Sequence, residues 1–239
     1  MINWTEENDI ATLTMEDGEN RWNTSFVRRF EEVLDEIEAK DNIKALVTCS
    51  SDAKFFSNGL DLEWLQSSDP DHRGGDKAVF GAEFMALMGR IITYPIPTIC
   101  AINGHGFGAG FMVALCHDVR IMREDRGFLC ANEMQLGFTI PKPELVLFRH
   151  KMSGSAYFET VQLAKRWTAG TALAAGVIHQ AVPLEELAAA ARATAEAYAP
   201  LGNNRELYGG QKEAIFGENA ILNSPHGAAH LLKNANDYR

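Results

Sequence analysis

The sequence predicts a mixed α/β fold, with strands and helices alternating to about residue 140 and mainly helices beyond it. Three observations carry this expectation. Short apolar runs rich in strand formers recur through the first half, and helical periodicity separates them. Two glycine-bearing segments, 55–62 and 103–110, each follow a strand-like run. After Pro141 helical spacing dominates. The 239 residues are 46% hydrophobic and 23% charged, enough for a full core and ordinary for a globular chain. That excludes a disordered chain, a disulfide-stapled miniprotein and a collagen-like fibre.

Taken in order, a polar turn at Glu6–Asp9 precedes an alternating strand, Ile10–Met15. Asn23-Thr24-Ser25 offers N-caps to a helix whose apolar face is Phe26, Phe30, Val33, Leu34 and Ile37. Ala45–Cys49 reads as a strand. Ser67–Asp76 has loop composition. A helix over 77–92 carries Phe80, Phe84, Leu87, Met88 and Ile91, and Tyr94-Pro95-Ile96-Pro97 stops it. Thr98–Ile102 is a strand that ends in the glycine-rich turn Asn103–Gly110. Phe111–Cys116 reads as a short buried helix, and Val119–Met122 and Phe128–Cys130 as strands. Helices follow over 143–151, 155–163 and 184–198, with one or two more near the end, and Val177–Val182 is a last short strand.

Charge narrows the function. With 22 basic against 32 acidic residues the formal net charge is −10, which disfavours a nucleic-acid partner. No apolar run reaches the ~18 residues that span a bilayer, so no membrane partner is expected. Cys49, Cys100, Cys116 and Cys130 form no C-x-x-C pair and sit in apolar runs, the pattern of reduced, buried thiols in a cytoplasmic protein. The N-terminal residues have no basic region followed by an apolar stretch, so no signal peptide is expected, and the last residues are not a Ser-Lys-Leu tail.

Three segments bear chemistry: Phe55–Leu62, Asn103–Gly110 and Cys130–Pro141. The two glycine-bearing turns can each expose main-chain N–H groups without crowding. Two such groups aimed at one point form an oxyanion hole. Glu133 lies in an apolar, glycine-punctuated stretch, where burial would raise its pKa and let it move protons near neutral pH. Together they suggest proton abstraction beside a carbonyl.

In this order and spacing the three segments resemble the crotonase superfamily, the enoyl-CoA hydratase/isomerase family, most closely its Δ3,Δ2-enoyl-CoA isomerases. The resemblance is clearest over Thr98–Pro141 and continues through Trp167–Ile178. It implies a crotonase-type spiral of ββα units over residues 1–190, with a C-terminal helical region over 191–239. It implies a fatty acyl-CoA thioester as substrate, with no metal or cofactor beyond the substrate's own CoA, and a homotrimer or dimer of trimers. Carried over by position, Asn58 and Ala109 supply the oxyanion N–H groups, and Ser57, Asn58, Gly59, Leu60, Gly108 and Ala109 bind the thioester. Family hydratases carry a glutamate where this chain has Met112. Glu133 matches the carboxylate that isomerases retain, so the resemblance implies double-bond migration from 3-enoyl-CoA to 2-enoyl-CoA by one carboxylate.

Other readings compete. Gly104-His105-Gly106-Phe107-Gly108-Ala109 satisfies the G-x-G-x-x-A dinucleotide fingerprint, with Asp125 near the position of a ribose-binding acid. Another crotonase reaction (hydration, thioester hydrolysis or decarboxylation) would use the same oxyanion hole, and a low-turnover acyl-CoA-binding protein would not need Glu133. Glu144 is a possible second acid, Asp61 is structural, and His105 and His117 pack or hydrogen-bond. Trp64, Leu65 and the 77–92 helix are candidates for an acyl pocket.

Overall fold

The computed structural model describes residues 1–69, 72–218, 220 and 226–238. Of the loop expected over 67–76, residues 70 and 71 fall outside them. Strand β1 (Ile2–Glu7) pairs antiparallel with β2 (Ile10–Met15), and Asn8 and Asp9 turn between them at φ 50° and 61°, the left-handed pair a two-residue hairpin requires. Helix α1 (Thr24–Glu38) starts where the Asn23 side chain accepts the N–H of Phe26, and it buries the predicted apolar face.

From there the chain repeats one move. It crosses a large sheet, steps into a small one, then leaves through helix. The first pass is β3 (Ala45–Ser50), β4 (Phe55–Ser57), α2 (Leu62–Gln66) and α3 (Lys77–Ile92). The second is β5 (Thr98–Ile102), β6 (His105–Phe107) and α4 (Ala109–Cys116). The third is β7 (Val119–Arg123), β8 (Leu129–Cys130), a 3-10 turn (Glu133–Leu136) and α5 (Lys142–Lys151). With β9 at Gln180–Val182, the large sheet has the order β1-β2-β3-β5-β7-β9 and the small one β4-β6-β8, all parallel except β1 with β2. This is the ββα spiral that the resemblance implies.

A parallel sheet has to be covered on both faces, and alternation along the strands does this. Ala45, Val47, Ile99, Ala101 and Ile121 meet Leu187, Ala191 and Ala195 of α8 (Leu184–Tyr198). Leu46, Cys100, Ile102 and Met122 face the other core, with α1, α3, α4 and α5. The remaining elements are α6 (Gly154–Val161), α7 (Ala169–Ala174), β9 (Gln180–Val182), α9 (Arg205–Phe216) and α10 (Ala228–Lys233). The boundary placed at residue 190 falls inside α8, which packs on the sheet as one piece. The ammonium of Lys212 on α9 reaches inward to Asp118 Oδ2 at 2.7 Å and Tyr94 O at 2.9 Å, tying the helical end to the core. No described helix is long and apolar enough to cross a membrane.

Candidate active site

The C-terminal ends of β4 and β6 open onto a cavity of about 330 Å³, lined on these two sides by Asn58, Gly59, Leu60, Phe107, Gly108 and Ala109. The 58–61 segment is laced to residues 19–22. Asn58 N–H donates to Glu19 O at 2.8 Å, Trp22 N–H to Gly59 O at 2.8 Å and Asp61 N–H to Trp22 O at 2.9 Å. In extended chain successive peptide groups point to opposite sides. With the Gly59 carbonyl and the Asp61 N–H both turned to Trp22, the Leu60 N–H faces the other way and has no hydrogen-bond partner among the described residues.

This corrects the assignment of an oxyanion donor to Asn58, whose N–H is already held by Glu19; the free donor lies two residues on, at Leu60. Ser57 is also corrected. It is fully buried, its hydroxyl donates to Asn20 O at 2.7 Å, and it packs under Gly110 instead of lining the cavity.

Ala109 is the first residue of α4, so its N–H has no acceptor within the helix. The glycines around it permit close approach. Gly110 sits so near Ser57 that an added Cβ would lie 2.6 Å from the serine Cβ. Gly59, at φ 80°, would place a Cβ 2.7 Å from Phe107 O and 3.8 Å from Ala109 N. The turn bearing the Leu60 N–H therefore lies against the turn bearing the Ala109 N–H, on one cavity.

Glu133 enters from a third side, at the start of the 3-10 turn after β8. Its Oε1 lies 3.1 Å from where a Cβ on Gly108 would be, so glycine leaves room for the carboxylate. Its Oε2 is buried with no hydrogen-bond partner, and burial raises the pKa above 4.5. A carboxylate with raised pKa and a free oxygen, beside two main-chain N–H groups, can take a proton from carbon next to a carbonyl while those groups hold the resulting oxyanion.

The other candidates fall away from the cavity. Met112 is buried inside α4. Glu144, on the first turn of α5, does not line the cavity. Asp61 caps α2 by accepting the Trp64 N–H at 3.0 Å, a structural role as expected. His117 bridges Val113 O and Thr48 Oγ1, and burial depresses its pKa to about 4. His105 packs among the rings of Phe55, Phe107 and Phe128. The proposed acyl pocket at Trp64, Leu65 and α3 is not there: Trp64 is fully buried against Phe80, Leu65 is exposed, and none of them lines the cavity. The dinucleotide reading fails on packing. A Cβ on Gly104 would collide with the Lys54 main chain, and one on Gly106 would lie 2.8 Å from Leu129. These glycines seat protein atoms, leaving no space for a pyrophosphate, and Asp125 pairs with Arg123 at 2.6 Å.

Several lining residues were not singled out from sequence: Arg21, Leu62, Asn132, Leu136, Phe138 and Arg166. Arg21 is held by Glu19 at 2.5 Å, and the Glu19 carboxylate also accepts Asn58 Nδ2 at 2.7 Å, the bond that chiefly lowers its pKa. The Arg166 guanidinium lies over the rings of Phe107 and Phe128, each at 5.9 Å. For Leu60 a signal did exist: it follows a glycine in a turn, where the chain direction, and so the N–H direction, changes. Among the described residues no three His, Cys, Asp or Glu side chains come close enough to share a metal ion.

Comparison with known proteins extends the geometry. Residues 5–205 match the family model described as enoyl-CoA hydratase/isomerase. The chain is 31% identical to enoyl-CoA delta isomerase 1, peroxisomal, of Arabidopsis thaliana over 205 residues, covering 84% of this chain and 83% of that one. It is also 31% identical to enoyl-CoA delta isomerase 3 of the same plant, covering 83% and 87%. Among solved structures, an enoyl-CoA hydratase from Mycobacterium ulcerans superposes with a TM-score of 0.83 at 26% identity, over 99% of this chain and 96% of that one.

Proposed function

The chain belongs to the enoyl-CoA hydratase/isomerase family, and on that premise we propose that it moves the double bond of a 3-enoyl-CoA thioester to the 2-position. The observation that carries this reading is the lone Glu133 carboxylate in the cavity, with Met112 buried where family hydratases place another glutamate.

The thioester oxygen sits between the Leu60 and Ala109 N–H groups. Glu133 removes a proton from the α carbon, and the electron pair moves into the carbonyl to give a dienolate. The two N–H groups stabilise the oxygen, a contribution of about 2.7–4 kcal/mol for each good donor in comparable sites. Glu133, now protonated, returns the proton at the γ carbon as the electron pair flows back and the conjugated double bond forms. Proton and charge balance without a cofactor or a bound water. The carboxylate's free Oε2 supports this role, because no protein donor competes for that oxygen. Arg21 and Arg166 on the cavity wall offer positive charge to the phosphates of CoA. The assembly proposed with this reading is a homotrimer or dimer of trimers, and the location cytoplasmic; both rest on the resemblance and on the thiol chemistry alone.

The test is incubation with 3-hexenoyl-CoA, followed by ultraviolet absorbance of the conjugated 2-enoyl thioester. Absorbance should grow with enzyme, and its absence would overturn the reading. Hydration is the second reading, favoured by the solved relatives named hydratases. With Met112 unable to hold or activate water, crotonyl-CoA should hydrate far more slowly than 3-hexenoyl-CoA isomerises. Equal or faster hydration would reverse the assignment.

A further inference from the structure

Away from the cavity sits a cation that the stability of the fold does not account for. Lys151 ends α5, is half-buried and does not line the cavity. No carboxylate pairs with it among the described residues, since Asp118, the carboxylate that acts on it, is held by Lys212 at 2.7 Å. Lys151 Nζ instead donates to His117 O at 3.4 Å and lies 4.9 Å from the centre of the Phe216 ring. The same His117 oxygen accepts Arg120 Nη1 at 2.9 Å. Bringing a second cation to one carbonyl, away from water and without a counter-ion, costs stability. A methionine of similar reach would fill the place at less cost, so a lysine kept there is a candidate for a functional role.

Its place in the chain says which role. His117 closes α4, whose first residue, Ala109, carries an oxyanion N–H. Traced backwards, α5 leads through residues 137–141, where Ile140 is buried in the core, to the turn that bears Glu133. The two helices touch through Phe111 and Phe148, whose rings lie 5.7 Å apart. That apolar contact holds them together without fixing direction, and the bond from Lys151 to His117 O adds the direction at their C-terminal ends. We propose that Lys151 is a positioning residue: its hold on the His117 carbonyl sets α5 against α4, and so sets Glu133 against the Ala109 N–H. This rests on the oxyanion-hole reading above and extends it to a residue outside the cavity.

Protonation reads this contact. Burial, and next the charge of Arg120, push the Lys151 pKa down to about 8. Of the groups that face it, His117 and His179 are depressed to about 4 and stay neutral, and the Cys116 thiol is raised to about 12. Arg120 stays charged, and Lys212 is paired with Asp118. A charge-assisted bond is about twice as strong as a neutral one, so the hold on His117 weakens as the ammonium loses its proton. The folded state binds this proton less tightly than the unfolded chain does. The charge therefore costs stability in full below the folded pKa, and the cost disappears as pH rises toward the unfolded value.

The experiment compares the parent with Lys151→Met between pH 6 and pH 9.5. It follows 3-hexenoyl-CoA isomerisation, exchange of the α protons of saturated hexanoyl-CoA in D2O by NMR, and melting temperature. At pH 7 the substitution should lower kcat and the exchange rate about ten- to hundredfold, with KM held within about twofold. Its melting temperature should be equal or higher. In the parent both rates should fall as pH rises through about 8, toward those of the variant, which should show no such limb. The parent's own profile thus reads the contact without any substitution. Unchanged rates in Lys151→Met, a loss matched by a lower melting temperature, or an alkaline limb of equal size in both proteins would overturn the inference. Exchange that depends on Lys151 without any isomerisation would sink the isomerase reading and leave the positioning role. Isomerisation indifferent to Lys151 would sink the positioning role alone, and a parent that catalyses neither reaction would overturn both.

Discussion

The two walls of the cavity are built in opposite ways. The wall carrying the Leu60 and Ala109 N–H groups is half-buried, threaded by three main-chain hydrogen bonds to residues 19–22, and fitted so closely that glycines at 59 and 110 leave no room for a Cβ. The wall carrying Glu133 is a single 3-10 turn with no buried residue, followed by Gly137 at φ 79° and two exposed residues, Phe138 and Thr139. Donors that stabilise a developing oxyanion work best when they do not reorganise, so they sit on strand ends. A carboxylate that must reach two carbons in turn gains from a less constrained support. Under the proposed isomerisation, fixed electrostatics and a moving proton would be housed in separate parts of the fold.

If the division is right, the largest loss should come from the base. Glu133→Gln should lower kcat by about 10²–10⁴-fold or more while acyl-CoA binding stays within several-fold. The same change should leave the melting temperature at pH 7 equal or higher. Burial raises the pKa of this group, so the folded state holds a proton more tightly than the unfolded one. Its contribution to stability is present below the ordinary carboxylate pKa and lost as pH rises through the raised value. Gln removes that cost. A clearly lower melting temperature would mark Glu133 as structural.

Next comes the fixed wall. Ala109→Pro should remove one donor and cost about 10²–10³-fold in kcat, while Ala109→Gly should be mild. Gly59→Ala should be comparably harmful and also destabilise the fold, because its φ of 80° and the Phe107 carbonyl both oppose a side chain. Melting temperatures measured with the rates separate the two effects. If Ala109→Pro, still folded, keeps full activity, the donor lies elsewhere.

A smaller effect should follow from the lacing. Glu19→Ala frees the Asn58 amide and Arg21, and should lower kcat about tenfold by letting the Leu60 turn drift. Glu19→Gln, which still accepts from Asn58, should recover most of the loss. Equal losses in both variants would trace the effect to Arg21 instead. The smallest effect is on pH. The rate should fall on the acid side through a pKa above that of a free carboxylate, and a limb at the ordinary carboxylate value would show that Glu133 is solvated in use.

The same contrast explains what could be read from the residues alone. Thr98–Ile102, 77–92 and 184–198 were legible to the residue because each is long or strongly patterned and buries one face. β1 was not, since Asn3, Thr5, Glu6 and Glu7 hide its strand character. Of the small sheet only β8, within the strand expected over Phe128–Cys130, was legible: β4 and β6 have three residues each, and they exist only because the strands pair across about 50 and 20 residues of chain. Glu133 and Ala109, each in a distinctive local motif, do line one cavity as the resemblance implies. Asn58 was mistaken for Leu60 because the direction of an N–H is decided by Glu19 and Trp22, nearly 40 residues upstream.

The central claim is that one carboxylate both removes and returns the proton across a fixed oxyanion wall. It is tested most directly with 3-hexenoyl-CoA carrying deuterium at the α carbon, with the product analysed by mass spectrometry and NMR. The account predicts deuterium at the γ carbon of part of the 2-hexenoyl-CoA made by the parent, and no product from Glu133→Gln. Product whose γ position holds only solvent hydrogen, together with turnover by Glu133→Gln, would contradict it.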